Sequence, residues 1–195
     1  MAAKAIATGT RVNGVSTATL SETLAAAEET DCSGKCQFRA RSQWLDGGHT
    51  RTIVKDFYGA GMEQTSRARP FVLETGGVAL FRIGDRAIDP LEHLLAALGA
   101  SVTSALVWHA TVRGIHVDAI DTWVEGDIDL RGCLGLDPNQ RAGFGEIRLI
   151  VKLDAEASDA QLDELIDLAT RYSPDFDTLN HGTCLTVRRD GARLA

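Results

Sequence analysis

Residues 89–115 read DPLEHLLAALGASVTSALVWHATVRGI, and this stretch decides the fold. Asp89 is a suitable N-cap, Pro90 suits the first helical position, and Glu92 completes a start that resembles a capping box. Gly114 lies where a C-cap glycine is expected. The apolar residues between these ends recur at helical spacing, at Leu91, Leu94, Leu95, Leu98, Val102, Ala105 and Leu106. The pattern predicts a long helix that is buried on most sides, either in one core or between two subunits.

The sequence on both sides of this helix predicts short strands and two further helices. The predicted strands are residues 36–45, 49–58, 71–74, 78–83, 117–130, 144–153 and 183–189. The predicted helices are residues 16–30 and 158–172, and Pro174 is expected to end the second of these. Residues 59–69 and 131–143 are expected to be loops, and residues 1–15 a loose arm.

Composition and charge exclude several classes of protein. Of the 195 residues, 44% are hydrophobic and 24% are charged, which is ordinary for a globular protein. The net charge of −7 argues against nucleic-acid binding, which needs a basic face. Apolar runs of membrane-spanning length and a secretory leader are not expected, so the sequence indicates a cytoplasmic protein without a membrane partner. The motifs of α/β-hydrolases, P-loop enzymes and Rossmann enzymes are also absent from the sequence.

Four stretches of the chain resemble the OsmC/Ohr family, which consists of small dimeric thiol peroxidases that reduce organic hydroperoxides. They are GAGMEQTSRARPFVLE (59–74), the helical stretch at 89–115, EGDIDLRGCLGLDP (125–138) and SPDFDTLNHG (173–182). The resemblance implies an α+β fold, with antiparallel sheets around a long central helix and two intertwined subunits. It leaves an N-terminal arm and helix at residues 1–30 outside an OsmC/Ohr-like domain at residues 31–195.

The resemblance also indicates where the chemistry of the family would lie. The position of the peroxidatic cysteine holds Ser101, and that of the resolving cysteine holds Ser173. The position of the glutamate holds Leu91, one residue before Glu92, and the nearest match to the arginine is Arg51. A peroxidatic site needs a thiolate that can form a sulfenic acid, and serine has no such state. Standard thiol peroxidase activity is therefore not expected.

Three functions remain open from the sequence. The first is a family member without peroxidase activity that binds a small hydrophobic ligand beside Ser101 and Leu91, with Glu92, Leu95 and Leu98 as candidate pocket residues. The second is an active hydroperoxide reductase that uses a relocated thiol, Cys184 or Cys133. The third is a purely structural or partner-binding dimer. The hydroxyl of Ser101 is expected to hydrogen-bond to the carbonyl of Ala97, as serines within helices do.

The remaining cysteines and histidines do not predict a cofactor or a metal site. Cys32 and Cys36 form a C-x₃-C pair without the second pair that a structural zinc site needs. A redox pair stays an alternative to free thiols at these two positions. His93 and His109 are sixteen residues apart on the predicted helix, too far apart to share a metal within one chain.

Overall fold

The computed structural model describes residues 11–29, 34–77 and 87–189 as a mixed α+β fold. The strand predicted at 78–83 lies outside these residues. The strands are β1 (Arg11–Val12), β2 (Val15–Ser16), β3 (Arg41–Asp46), β4 (His49–Val54), β5 (Phe57–Gly59), β6 (Met62–Gln64), β7 (Phe71–Thr75), β8 (Val117–Asp127) and β9 (Glu146–Ala155). The helices are α1 (Thr17–Glu29), α2 (Pro90–Arg113), α3 (Leu130–Cys133), α4 (Asp159–Tyr172) and α5 (Pro174–His181).

Helix α2 begins and ends where the sequence predicts. The carboxylate of Asp89 accepts a hydrogen bond from the Leu91 N–H at 2.8 Å, and the carboxylate of Glu92 accepts one from the Asp89 N–H at 2.9 Å. The bond to Glu92, together with one from the Glu92 N–H to the Asp89 side chain, forms the predicted capping box. Gly114 ends the helix in the left-handed region, with φ of 68°. The position of this long helix is thus determined by local signals at both ends.

The core lies where α2 packs against β8 and α4. Strands β8 and β9 form an antiparallel ribbon. Helix α4 packs against α2 and also contacts β9. The buried apolar residues of the described chain are Leu98, Val102, Ala105, Leu106, Ala110, Ile115, Leu165 and Ala169. All of them come from α2, from the turn that follows it or from α4, which confirms the predicted amphipathic stripe of α4.

A second sheet has the strand order β3-β4-β7 and contains no strand of the ribbon. Its hairpin turns at Gly47-Gly48, as predicted. Within the described residues it makes no extensive contact with α2. Several large apolar side chains on it are exposed, namely Trp44, Ile53, Phe71, Val72 and Leu73. The single chain therefore has one covered core and one sheet that is not covered.

The prediction of a loose arm at residues 1–15 is wrong for its described part. Strands β1 and β2 form a hairpin with Asn13 and Gly14 at its turn, both at positive φ. The Asn13 side chain donates to the Ile115 carbonyl at 2.9 Å and accepts from the Val117 N–H at 2.9 Å. The hairpin is therefore attached to the end of α2 and the start of β8.

Other sequence predictions are corrected in detail. The predicted loop at 59–69 contains β6, which pairs with β5, and the loop at 131–143 includes most of α3. Pro174 does not only end α4, because it is also the first residue of α5. The segment 183–189 is not a strand here, and Leu185 and Val187 are 84% and 97% exposed. A strand needs a neighbouring edge, and the described part of this single chain gives the segment none.

The expectation about apolar runs also needs correction. Helix α2 is long and apolar enough to cross a membrane by length and composition. A core helix passes the same test, and the residues of α2 that form the core are packed against β8 and α4. Packing within the single chain explains part of its apolar character, since 39% of the apolar stretch is buried there.

Candidate functional site

Ser101 and Ser173 lie 72 residues apart in sequence, and their side chains meet. The two Oγ atoms are 2.9 Å apart and share a hydrogen bond. Ser173 is completely buried, and Ser101 is half-buried. The expectation that Ser101 bonds to the carbonyl of Ala97 is wrong, because the hydroxyl of Ser173 takes that place.

The local fold explains this meeting. Ser101 lies in the middle of α2, on the side that packs against α4 and α5. Ser173 is at once the C-cap of α4 and the N-cap of α5, and its hydroxyl accepts a hydrogen bond from the Phe176 N–H at 3.3 Å. The junction between two helices thus holds a buried hydroxyl against the long helix.

The described part of the chain supplies the serine pair with no base that would activate it. Among the described residues, the Ser101 hydroxyl bonds only to Ser173, and Ser173 only to Ser101 and the Phe176 N–H. His109 lies two turns beyond Ser101 on α2, where its ring contacts Tyr172 at 5.6 Å between centroids. Burial lowers the pKa of His109, and the charge of Arg113 lowers it further. A nucleophilic serine needs a positioned base, so the geometry does not support acyl transfer.

A groove of about 670 Å³ opens beside the serine pair, between α2, β9, α4 and α5. Leu98, one turn before Ser101, lines it, as do Thr170 and Phe176 on either side of Ser173. Its volume is in the range of small-molecule sites. Its apolar lining residues are Leu91, Leu94, Leu98, Phe144, Ile147, Leu149, Val151, Ile166, Phe176 and Leu179.

The predicted site residues divide between two grooves. Leu91, which the sequence resemblance assigns to the glutamate position, and Leu98 line the large groove. Glu92 and Leu95 line a smaller groove of about 390 Å³, between α2 and β8. The carboxylate of Glu92 is engaged in the capping box at Asp89. The larger groove therefore contains no carboxylate from the start of α2.

Arg51 lies on β4, in the separate three-stranded sheet. Its Nε donates to the Glu74 carboxylate at 2.6 Å, and Glu74 also contacts the His49 ring at 2.6 Å. These bonds, chiefly the one from Arg51, lower the pKa of Glu74. No contact between Arg51 and the serine pair occurs within the described chain. Its assignment to the site stays a prediction.

The candidate relocated thiols lie away from the large groove. Cys133 and Cys184 are free and exposed, and neither lines it. The Cys133 thiol donates to the Leu130 carbonyl at 3.4 Å. Cys36 is also free and exposed, whereas Cys32 lies outside the described residues. The described residues contain no cluster of metal-binding side chains.

Sequence reasoning missed the far wall of the groove. Phe176, Leu179 and Asn180 reach it from α5, and Arg141 reaches it from the loop before β9. A signal for α5 was available, because Ser173 and Pro174 stand at the N-cap and first position that helices prefer. Arg141 had no such signal, since its position depends on how a glycine-rich loop folds.

A protein family and several solved structures are similar to this chain in sequence or in fold. A family model described as OsmC-like protein matches residues 83–188. An OsmC-like protein from Mycoplasma pneumoniae superposes with a TM-score of 0.57 at 16% identity, covering 74% of this chain and 87% of that one. An OsmC-like protein of unknown function from Vibrio cholerae gives a TM-score of 0.52 at 11% identity, with coverages of 73% and 92%.

A third solved structure is titled an organic hydroperoxide resistance protein OsmC, from Legionella pneumophila. It gives a TM-score of 0.50 at 15% identity, covering 75% of this chain and 90% of that one. At such identities the solved structures show the fold alone. A search of curated proteins gives no significant match.

Proposed function

Because the chain belongs to the OsmC-like protein family, we propose that it keeps the fold of that family without its thiol peroxidase chemistry. In this proposal the protein binds a small hydrophobic molecule in the groove between α2, β9, α4 and α5. It acts in the cytoplasm as a homodimer, with no nucleic acid or membrane as partner. No cofactor or metal takes part.

The observation that carries the proposal is the hydrogen bond of 2.9 Å between Ser101 and Ser173. The family resemblance places the two reactive cysteines at these positions. Two hydroxyls in contact cannot pass through the sulfenic acid and disulfide states that reduce a peroxide and return the enzyme to its starting state. Leu91 also puts an alkyl group where the family would have a carboxylate.

The apolar character of the groove supports ligand binding. Its walls are mostly aliphatic and aromatic, with a few polar groups near them, which is the usual composition of small-molecule sites. A leucine in place of a carboxylate favours the binding of an alkyl group in the groove. An alkyl group that displaces water beside Leu91 leaves no charged side chain unsolvated, as it would beside a carboxylate.

The test is turnover of cumene hydroperoxide with a dithiol reductant. We expect the natural protein to give the background rate. The Leu91→Glu, Ser101→Cys, Ser173→Cys triple variant should exceed it at least about tenfold, because it restores a nucleophile and its resolving partner. Full family activity is not expected, since the surroundings of a site limit its rate when they are not prepared for it.

The controls are Cys133→Ser and Cys184→Ser in the natural chain. If the natural protein turns over the hydroperoxide well and one of these changes abolishes the activity, the relocated-thiol function is correct and the proposal fails. If the natural protein is active and neither change matters, the serine argument itself is wrong.

Two observations support the homodimer. Residues 34–77 carry more basic than acidic side chains, whereas residues 117–167 are predominantly acidic, so two copies can pair unlike regions. The buried Nε2 of His93 on α2 has no hydrogen-bond partner among the described residues, and pairing with a second copy would supply one.

A further inference from the structure

We propose that the ligand of the large groove is an alkyl monocarboxylate, held by Arg141 at its charged end. This inference rests on the proposed function and adds the chemical class of the ligand. Arg141 is a charged residue on the lining of the groove that the family resemblance does not include. It lies in the loop before β9, which the sequence does not connect with the site.

Arg141 is a cation without a carboxylate partner. It lines the groove, and it makes no ion pair with any residue in the described parts of the chain. The other arginines near it are engaged, since Arg131 pairs with Asp129 and Arg148 pairs with Asp127 and Glu146. The donors of Arg141 are therefore available to an incoming anion.

A second polar group stands on the same lining. The Asn180 side chain of α5 has no hydrogen-bond partner within the described residues, so its amide N–H is free to donate. The hydroxyl of Thr170 is less available, because it donates to carbonyls within α4. An arginine and an amide provide planar donors of the kind that bind a carboxylate.

The acidic surroundings limit the charge of the ligand. Glu146 lines the same groove, and its carboxylate is held by Arg148 at 3.0 Å. Asp127 and Asp129 lie in an adjoining depression of about 400 Å³ that also includes Arg141. Arg131 and Arg148 offset two of these three carboxylates, and the remaining negative charge repels a phosphate dianion more than a singly charged carboxylate. The surroundings therefore favour a monoanion.

The dimensions favour a medium-length alkyl chain. From Leu91 to Leu98 the wall of α2 spans roughly 11 Å, and from Ile147 to Val151 the wall of β9 spans roughly 13 Å. An extended chain of about the length of decanoate matches these spans. Its methylenes would lie against the leucines while the carboxylate meets Arg141.

The experiment is calorimetric titration of the full chain with decanoate, octanoate and the uncharged decanol. We expect one decanoate per chain, and octanoate weaker by roughly ten- to fifteenfold, because it buries two fewer methylenes. Arg141→Gln should weaken decanoate by about tenfold, the loss of one charge-assisted pair, and leave decanol unchanged. Arg41→Gln, which removes an exposed arginine of the separate sheet β3-β4-β7, is the control and should change neither.

The outcomes separate this inference from the proposed function. If decanol and decanoate bind equally and Arg141→Gln affects neither, the carboxylate assignment is wrong and the apolar site remains. If neither ligand binds, the proposed ligand function fails together with this inference. In that case Leu94→Trp, which fills the groove, would show by light scattering whether a second copy of the chain occupies it instead.

Discussion

Ser173 shows how this fold accommodates a buried hydroxyl at a position where the family resemblance implies a thiol. A buried hydroxyl is costly unless it is hydrogen-bonded, and that of Ser173 has two partners. It accepts the N–H of Phe176 in the first turn of α5 and meets Ser101 on α2. Since serine and cysteine differ little in size, both positions can change without disturbing the helices. The fold alone therefore does not show whether a protein has thiol peroxidase activity.

The same geometry predicts a disulfide in a double variant. In Ser101→Cys, Ser173→Cys, mild oxidation should join the two sulfurs, because side chains whose tips touch need only a small adjustment to bond. The measurement is the loss of two titratable thiols, with peptide mass spectrometry to identify the pair. Ser104→Cys, Ser173→Cys is the control, since Ser104 is exposed on another side of α2 and should stay reduced. Equal crosslinking in both variants would contradict the observed contact.

At the scale of elements, the attachment of the N-terminal hairpin can be tested through Asn13. Asn13→Ala should lower the free energy of unfolding by roughly 2–3 kcal/mol, because it leaves partly buried backbone groups unpaired and strains a positive φ. Asn13→Asp keeps the acceptor for the Val117 N–H and should cost less. Urea unfolding measures both.

The control for that series is Asn139→Ala. Asn139 is exposed and bonds only to Asp137, two residues away in its own loop. We expect its effect to stay within about 0.5 kcal/mol. If Asn13→Ala is no more destabilising than this control, the hairpin is not an integral part of the domain.

The elements that could be predicted from the sequence are those with local signals. The capping box at Asp89 and the C-cap at Gly114 bound α2 correctly, and the apolar stripe predicted α4. Helix α5 was missed because Pro174 was interpreted only as a terminator. The strand expected at 183–189 depends on a pairing edge, which local sequence does not specify.

The candidate site was predicted in part for the same reason. Ser101 and Ser173 were identified through the family resemblance, but their contact depends on how α2, α4 and α5 pack. Leu91 and Leu98 line the large groove, whereas Glu92 and Leu95 line the smaller one. Successive residues of a helix point about 100° apart, so Leu94 and Leu95 have different neighbours, and only tertiary packing shows which neighbours these are.

At the scale of the whole molecule, the described part of the chain leaves apolar side chains exposed on both of its larger sheets. The sheet β3-β4-β7 exposes apolar side chains, and so does the ribbon, at Trp123 and Ile150. Helix α2 has one face of small residues that ends in Trp108, which is 58% exposed. Surfaces of this size and composition are usually covered by another chain.

The homodimer can be tested at that face of α2. Light scattering of the natural protein at micromolar concentration should give twice the mass of the chain. Trp108→Glu should give monomers or insoluble protein, because it would bury an unpaired charge between the subunits. Leu136→Glu is the matched control, since Leu136 is 71% exposed on the loop before β9 and should leave the mass unchanged. A natural protein that is monomeric at this concentration, or a Trp108→Glu variant that remains a normal dimer, would show that this face is not the interface.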